Sequence, residues 1–156
     1  MQKITTFLWF DDKAEEAAKF YVSIFPNSKI VGVARYTDVG PGPAGSVMTV
    51  DFELDGQQFV ALNGGPQFPF TEAISLVVNC ETQKEIDRTW DALSAGGKIV
   101  QCGWLKDRYG LSWQVVPTLL ATEMRQTSDP ARLNRVVKVV LESVKLDIEK
   151  LKAALA

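Results

Sequence analysis

The sequence predicts an α+β protein made of two βαβββ modules followed by a C-terminal run of helices. Three observations carry that prediction. First, Phe7-Leu8-Trp9-Phe10 leads into a helix opened by Asp12 and Glu15, and Leu76-Val77-Val78-Asn79-Cys80 leads into one opened by Thr82 and Glu85. The second pair lies 70 residues beyond the first, and Phe20 and Trp90 keep the same register. In each copy an N-cap side chain is followed three residues later by a Glu that can reach back to it, a capping box. Second, Gly56-Gln57-Gln58-Phe59 and Gly110-Leu111-Ser112-Trp113 repeat a Gly-x-x-aromatic pattern, each running on into an apolar strand. Third, residues from 117 onward keep helical periodicity to the end.

Module one, about residues 3–65, begins with a strand over 4–10 and a helix over 13–24. The helix carries Ala14, Ala17, Tyr21 and Ile24 on one stripe, and Pro26-Asn27 stops it. Residues 29–36 and 46–54 alternate between the two faces of a strand; in the second, Met48, Val50, Phe52 and Leu54 oppose Val47, Thr49, Asp51 and Glu53. Between them lies a Gly- and Pro-rich loop, residues 38–45. Asp55-Gly56 signals a hairpin turn, and residues 59–62 form the returning strand.

Module two, about residues 72–117, has a strand over 74–79 and a helix over 82–93 with Ile86, Trp90 and Leu93 inward. Gly96-Gly97 ends that helix. Strands over 99–104 and 111–116, separated by Lys106-Asp107-Arg108, complete a tighter copy. In the tail, about residues 118–156, Asp129-Pro130 reads as an N-cap with proline at the first helical position. Leu133, Val136, Val137, Val140, Leu141 and Val144 form an apolar stripe, and a last helix is expected over 147–155.

Composition narrows the function. The chain of 156 residues is 46% hydrophobic with four tryptophans, enough for a proper core, and carries a net charge of −2. No cluster of Lys or Arg builds the positive field that a phosphate backbone requires, so nucleic acid is not an expected partner. No apolar run approaches the length of a membrane span and no leader pattern is visible, so a cytoplasmic location without membrane association is expected. Cys80 and Cys102 are expected to be reduced thiols. The chain contains no histidine. That rules out Ser-His-Asp and Cys-His catalysis and the commonest metal ligand.

Several stretches resemble one family closely. Phe7-Leu8-Trp9-Phe10-Asp11, Ala61-Leu62-Asn63-Gly64-Gly65-Pro66, Phe70-Thr71-Glu72-Ala73-Ile74-Ser75, Trp90-Asp91-Ala92-Leu93, and Gln101-Cys102-Gly103-Trp104 through Gly110-Leu111-Ser112-Trp113-Gln114-Val115-Val116-Pro117 resemble the PhnB-like family, often labelled 3-demethylubiquinone-9 3-methyltransferase domains. Its superfamily, the vicinal oxygen chelate proteins, includes glyoxalases, extradiol dioxygenases and bleomycin-resistance proteins. The resemblance implies the glyoxalase/bleomycin resistance/dioxygenase fold, with paired modules in a curved mixed sheet. It also implies four metal-ligand slots, at or within about two positions of Thr5, Val60, Ser75 and Gln114. Only Gln114 is a credible ligand there, because transition metals need imidazole, thiolate or carboxylate donors. No metal and no cofactor are therefore expected.

Methyl transfer from S-adenosylmethionine is not expected either. Gly40-x-Gly42 and Gly64-Gly65 contain or adjoin prolines and do not open helices, so they read as a hairpin loop and an inter-module connection. What remains is a ligand-binding surface of aromatic walls with a few orienting amides: Trp9, Asn63, Trp104, Trp113 and Gln114. The leading expectation is a homodimer that binds a small organic molecule. Two other readings stay open: an enzyme of the superfamily acting on a small substrate with a loosely bound metal or none, and an interaction module working through its tail helices.

Overall fold

The computed structural model describes all 156 residues. The chain divides into two compact units, Met1–Phe70 and Thr71–Ala156, with the helical tail in the second. No helix is long and apolar enough to cross a membrane.

The first unit contains β1 (Thr6–Phe10), α1 (Ala14–Ile24), β2 (Lys29–Arg35), β3 (Val47–Leu54) and β4 (Gln57–Asn63). Its sheet has the order β1-β4-β3-β2, with β1 parallel to β4 and the other pairs antiparallel. Alternation along each strand sends one parity toward α1. That parity is Leu8, Phe10, Val50, Phe52, Leu54, Phe59 and Ala61, all buried, and α1 meets it with Ala14, Ala17, Ala18 and Tyr21. Tyr21 stacks on Phe52, and Phe52 on Phe59. Three small alanines on the inner side of α1 let it approach the sheet closely. Asp55 and Gly56 both take positive φ between Leu54 and its partner Gln57, the geometry of a tight hairpin turn.

The second unit repeats the plan with β5 (Ser75–Cys80), α2 (Gln83–Ser94), β6 (Lys98–Ile99), β7 (Trp104–Lys106) and β8 (Ser112–Pro117), in the order β5-β8-β7-β6. Here Cys80, Leu105, Trp113 and Val115 share the buried parity and pack with Ile86, Trp90 and Leu93 of α2. The expected capping chemistry forms at α2: Thr82 accepts from the Glu85 N–H at 3.1 Å, and the Glu85 carboxylate accepts from the Glu81 N–H at 2.8 Å.

At α1 the expected box does not form. The N-cap position is Lys13, without a side-chain bond, and the first free N–H, that of Ala14, donates to Asn63 Oδ1 at 2.8 Å. A residue 49 positions away supplies what Asp12 was expected to supply. The strand expected over 99–104 is also corrected. β6 ends at Ile99, and Cys102 and Gly103 at positive φ turn the chain before β7 starts at Trp104.

The tail folds into α3 (Thr118–Gln126), α4 (Pro130–Leu141) and α5 (Ile148–Leu155). Asp129 caps α4 through the Ala131 N–H at 3.0 Å, with Pro130 leading the helix. Asp147 caps α5. The expected apolar stripe splits. Val136 joins Val116, Leu120, Leu146 and Leu151 in a cluster that anchors the tail to β8 of its own unit, whereas Leu141 and Val144 are exposed and Val144 lies beyond the helix.

Candidate functional site

A four-stranded sheet covered by one helix has a second face, and in each unit that face carries the residues of chemical interest. In the first unit the parity opposite α1 holds Phe7, Trp9, Thr49, Asp51, Val60 and Leu62. Phe7 is 57% exposed although it sits mid-strand in the apolar run TFLWF. In the second unit the corresponding face holds Ser75, Val77, Asn79, Ser112, Gln114, Trp104 and Lys106, with Val116 at the end where the tail packs. Trp104 and Gln114 are directly opposite across β7 and β8. Gln114 Nε2 donates to Ser75 Oγ at 2.9 Å, which orients the amide.

The five residues singled out in the sequence therefore fall into two groups. Trp9, Trp104 and Gln114 lie on uncovered faces. Asn63 and Trp113 lie on the covered ones, because each is one residue from a member of the open parity: Leu62 precedes Asn63 and Gln114 follows Trp113. Asn63 is fully occupied with the fold. Its Oδ1 accepts from Ala14, its Nδ2 donates to the Val47 carbonyl at 3.2 Å, and its backbone carbonyl accepts from the Tyr36 hydroxyl. Trp113 is 3% exposed, and its indole N–H donates to Asp107 Oδ2 at 2.9 Å. The same buried carboxylate accepts from the Tyr109 and Leu111 N–H groups through Oδ1, so it organises the β7–β8 turn. Neither side chain is available to line an open face.

Trp9 is held by a local clamp. Its indole N–H donates to the Gly65 carbonyl at 2.9 Å, and Phe68 meets the ring edge-on at a centroid distance of 5.0 Å. A Cβ at Gly64 would lie 2.4 Å from the indole ring, so glycine is required for the ring to lie where it does. The other glycine pair behaves alike: Cβ atoms at Gly40 and Gly42 would strike the Tyr36 ring at 2.7 and 2.4 Å. Gly64, Gly40 and Gly42 thus make room for aromatic rings, and neither pair opens a helix.

The four slots the superfamily uses for a divalent metal do not fit one in this chain. Val60 offers no donor atom, and Ser75 and Gln114 are hydrogen-bonded to each other. No group of three or more His, Cys, Asp or Glu side chains is arranged to hold a metal ion. Hydroxyl and carboxamide oxygens alone bind transition metals weakly.

Residues 2–116 match the family described as 3-demethylubiquinone-9 3-methyltransferase. The chain belongs to that family. Among solved structures it is 44% identical to the PhnB protein from Bacillus cereus, with a TM-score of 0.69 over 74% of this chain and 99% of that one. Protein PA1353 from Pseudomonas aeruginosa is 21% identical, with a TM-score of 0.62 over 75% of this chain and 98% of that one. The fosfomycin resistance protein FosX from Listeria monocytogenes is 15% identical, with a TM-score of 0.52 over 81% and 97% of the two chains. The fold is therefore that of the vicinal oxygen chelate superfamily, in its PhnB-like branch. None of the curated proteins matches the sequence.

The two cysteines differ in reactivity. Cys80 is buried at the end of β5, where desolvation, reinforced by the Glu85 charge, pushes its thiol from 9.0 up to about 11. Cys102 is half-buried at the β6–β7 turn. Because the thiolate is the reactive form, this shift and the burial of Cys80 both disfavour its reaction. A thiol reagent at pH 8 should label one cysteine per native chain, identified by peptide mapping as Cys102, and two after denaturation. Labelling of Cys80 at a comparable native rate would contradict its burial.

Proposed function

We propose that this PhnB-like protein binds a small amphipathic organic molecule on the open sheet face of the second unit, with Trp104 as the aromatic platform and Gln114 as the orienting amide; Trp9 holds the corresponding face of the first unit. The observation that carries the reading is the register pairing of Trp104 with Gln114 on the face that α2 leaves uncovered. An indole and a fixed amide on a surface that the fold has no need to bury suit a flat ligand with one polar edge. Asn63 and Trp113 support the two sheets from behind and touch no ligand in this reading. Binding without a protein-held metal is consistent with the donor set described above.

The reading has a direct test in matched aromatic probes followed by tryptophan fluorescence, with 2-naphthamide as the neutral member. Trp104→Ala should weaken the probe at least tenfold, and Gln114→Leu should cost about 1–3 kcal/mol of binding, since a ligand group loses its partner. Trp113→Phe should change stability and leave affinity within twofold. Equal affinity in the parent, Trp104→Ala and Gln114→Leu proteins would remove both residues from the site.

We further propose a homodimer formed through sheet edges. β1, β2, β5 and β6 are terminal strands of their sheets, and β2 exposes Val31 and Val33 along seven residues. The tail helices, whose apolar stripe predicts a share in the dimer contact, pack their buried residues on β8 of their own unit, which leaves the sheet edges as the proposed contact. Sedimentation equilibrium at micromolar concentration should return twice the chain mass, and Val31→Lys with Val33→Lys should lower it if β2 is the edge used. A parent protein that sediments as a monomer would end the dimer reading.

A further inference from the structure

Across the open face of the second unit, one row of the sheet is polar from edge to edge. Register pairs Ser75 with Ser112, Ser112 with Lys106, and Lys106 with Lys98, so these four residues run across β5, β8, β7 and β6 on one face. The next row on that face is Val77, Gln114 and Trp104. Three features of the row are unexplained by folding. Ser112 is 1% exposed, and its Oγ has no hydrogen-bond partner, a state that native proteins rarely leave without a reason. Lys98 and Lys106 face each other across an antiparallel pair, where like charges repel. Finally, Glu72, from the segment leading into β5, forms an ion pair with Lys106.

The Glu72 carboxyl is held below its usual range, chiefly by its hydrogen bond to Lys106, with Lys98 adding a further attraction. Two cations thus share one exposed, displaceable carboxylate, beside two serine hydroxyls. The side chain of Glu72 is 60% exposed and that of Lys106 is 31% exposed, so this pair is the kind that solvent and a competing anion can open.

We propose that this row is the recognition site for a carboxylate on the ligand, and that Glu72 occupies the site as an internal surrogate until the ligand displaces it. The inference rests on the aromatic-ligand reading above and deepens it: the ligand is an aromatic carboxylic acid whose ring lies on Trp104 and whose carboxylate takes the place of the Glu72 carboxylate on Lys106. Lys98 adds long-range attraction, and the Ser112 hydroxyl, buried and unpaired while Glu72 holds Lys106, lies in the same row. Carboxylate is preferred to a doubly charged group because the position is already filled by one carboxylate and only Lys106 pairs with it directly, Lys98 lying on the edge strand. Charge-assisted hydrogen bonds to an ammonium supply the discrimination against neutral analogues.

The test compares 2-naphthoate with 2-naphthamide, which differ only at the acidic group, by fluorescence titration of the full chain. The acid should bind at least tenfold tighter than the amide. Lys106→Met should bring the two within about twofold of each other, and Glu72→Gln should tighten the acid severalfold, because the competing carboxylate is gone. Ser112→Ala is the control: it should leave both affinities within twofold and should not lower the melting temperature, since the buried hydroxyl makes no bond in the fold. Equal binding of acid and amide by the parent protein overturns the carboxylate site while leaving the aromatic-ligand reading intact. Acid that binds tighter than amide but is not tightened by Glu72→Gln overturns the surrogate role of Glu72. If neither compound binds, the aromatic-ligand reading itself fails and this inference falls with it.

Discussion

Each sheet in this protein has two faces, one packed along its length by the helix of its own module and, in the second unit, the other packed by the tail only at the Val116 end. That constraint decides which side chains are core and which remain for function. Covering a four-stranded sheet on both sides would take a second helix per module, and the only additional helices in the chain are α3, α4 and α5, which anchor on Val116 at the end of β8. The row of Trp104 and Gln114 and the row of Ser112 and Lys106 are left outside that anchor. Alternation then does the sorting. Moving one residue along β8, from Trp113 to Gln114, exchanges a fully enclosed indole for an amide on the open side.

Much of this was legible in the sequence because the relevant interactions are local. Thr82 with Glu85, Asp129 with Pro130 and Asp55 with Gly56 each satisfy backbone groups within a few residues, and all three form as expected. What could not be read depends on distant partners. The N-terminus of α1 is capped by Asn63, a contact that exists only after β4 pairs beside β1. Apolar residues between Ile99 and Trp104 look like a strand, yet Cys102 and Gly103 adopt left-handed backbone and bond to the Ser143 and Val144 carbonyls of the α4–α5 turn. The separation of Trp113 from Gln114 was available in principle, since adjacent residues of a strand cannot share a face. Their chemical suitability for a ligand site concealed that geometric incompatibility.

The family description and the chemistry of this chain point in different directions. A glycine-rich turn that cradles a nucleotide-like cofactor needs free backbone N–H groups at a helix start. Here Gly64 and Gly65 donate to the Phe10 and Asp11 carbonyls, Gly64 makes space for Trp9, and Gly40 and Gly42 make space for Tyr36. Replacement of the superfamily's ligand slots by valine and serine, with glutamine bonded to that serine, likewise removes the electrophile on which its metalloenzymes rely. Of these positions, Ser75 and Gln114 keep a bonded hydroxyl and amide on the face opposite α2, where Trp104 pairs with Gln114.

The central claim is that the covered and open sheet faces divide the tryptophans into structural and functional sets. Fluorine NMR of protein labelled with 5-fluorotryptophan, with the four resonances assigned by single Trp→Phe substitutions, measures this directly in the presence of a neutral paramagnetic relaxation agent. The resonances of Trp9 and Trp104 should broaden, while those of Trp90 and Trp113, which are 4% and 3% exposed, stay sharp. A Trp113 resonance that broadens as readily as that of Trp104 would contradict the assignment of faces on which the functional reading rests.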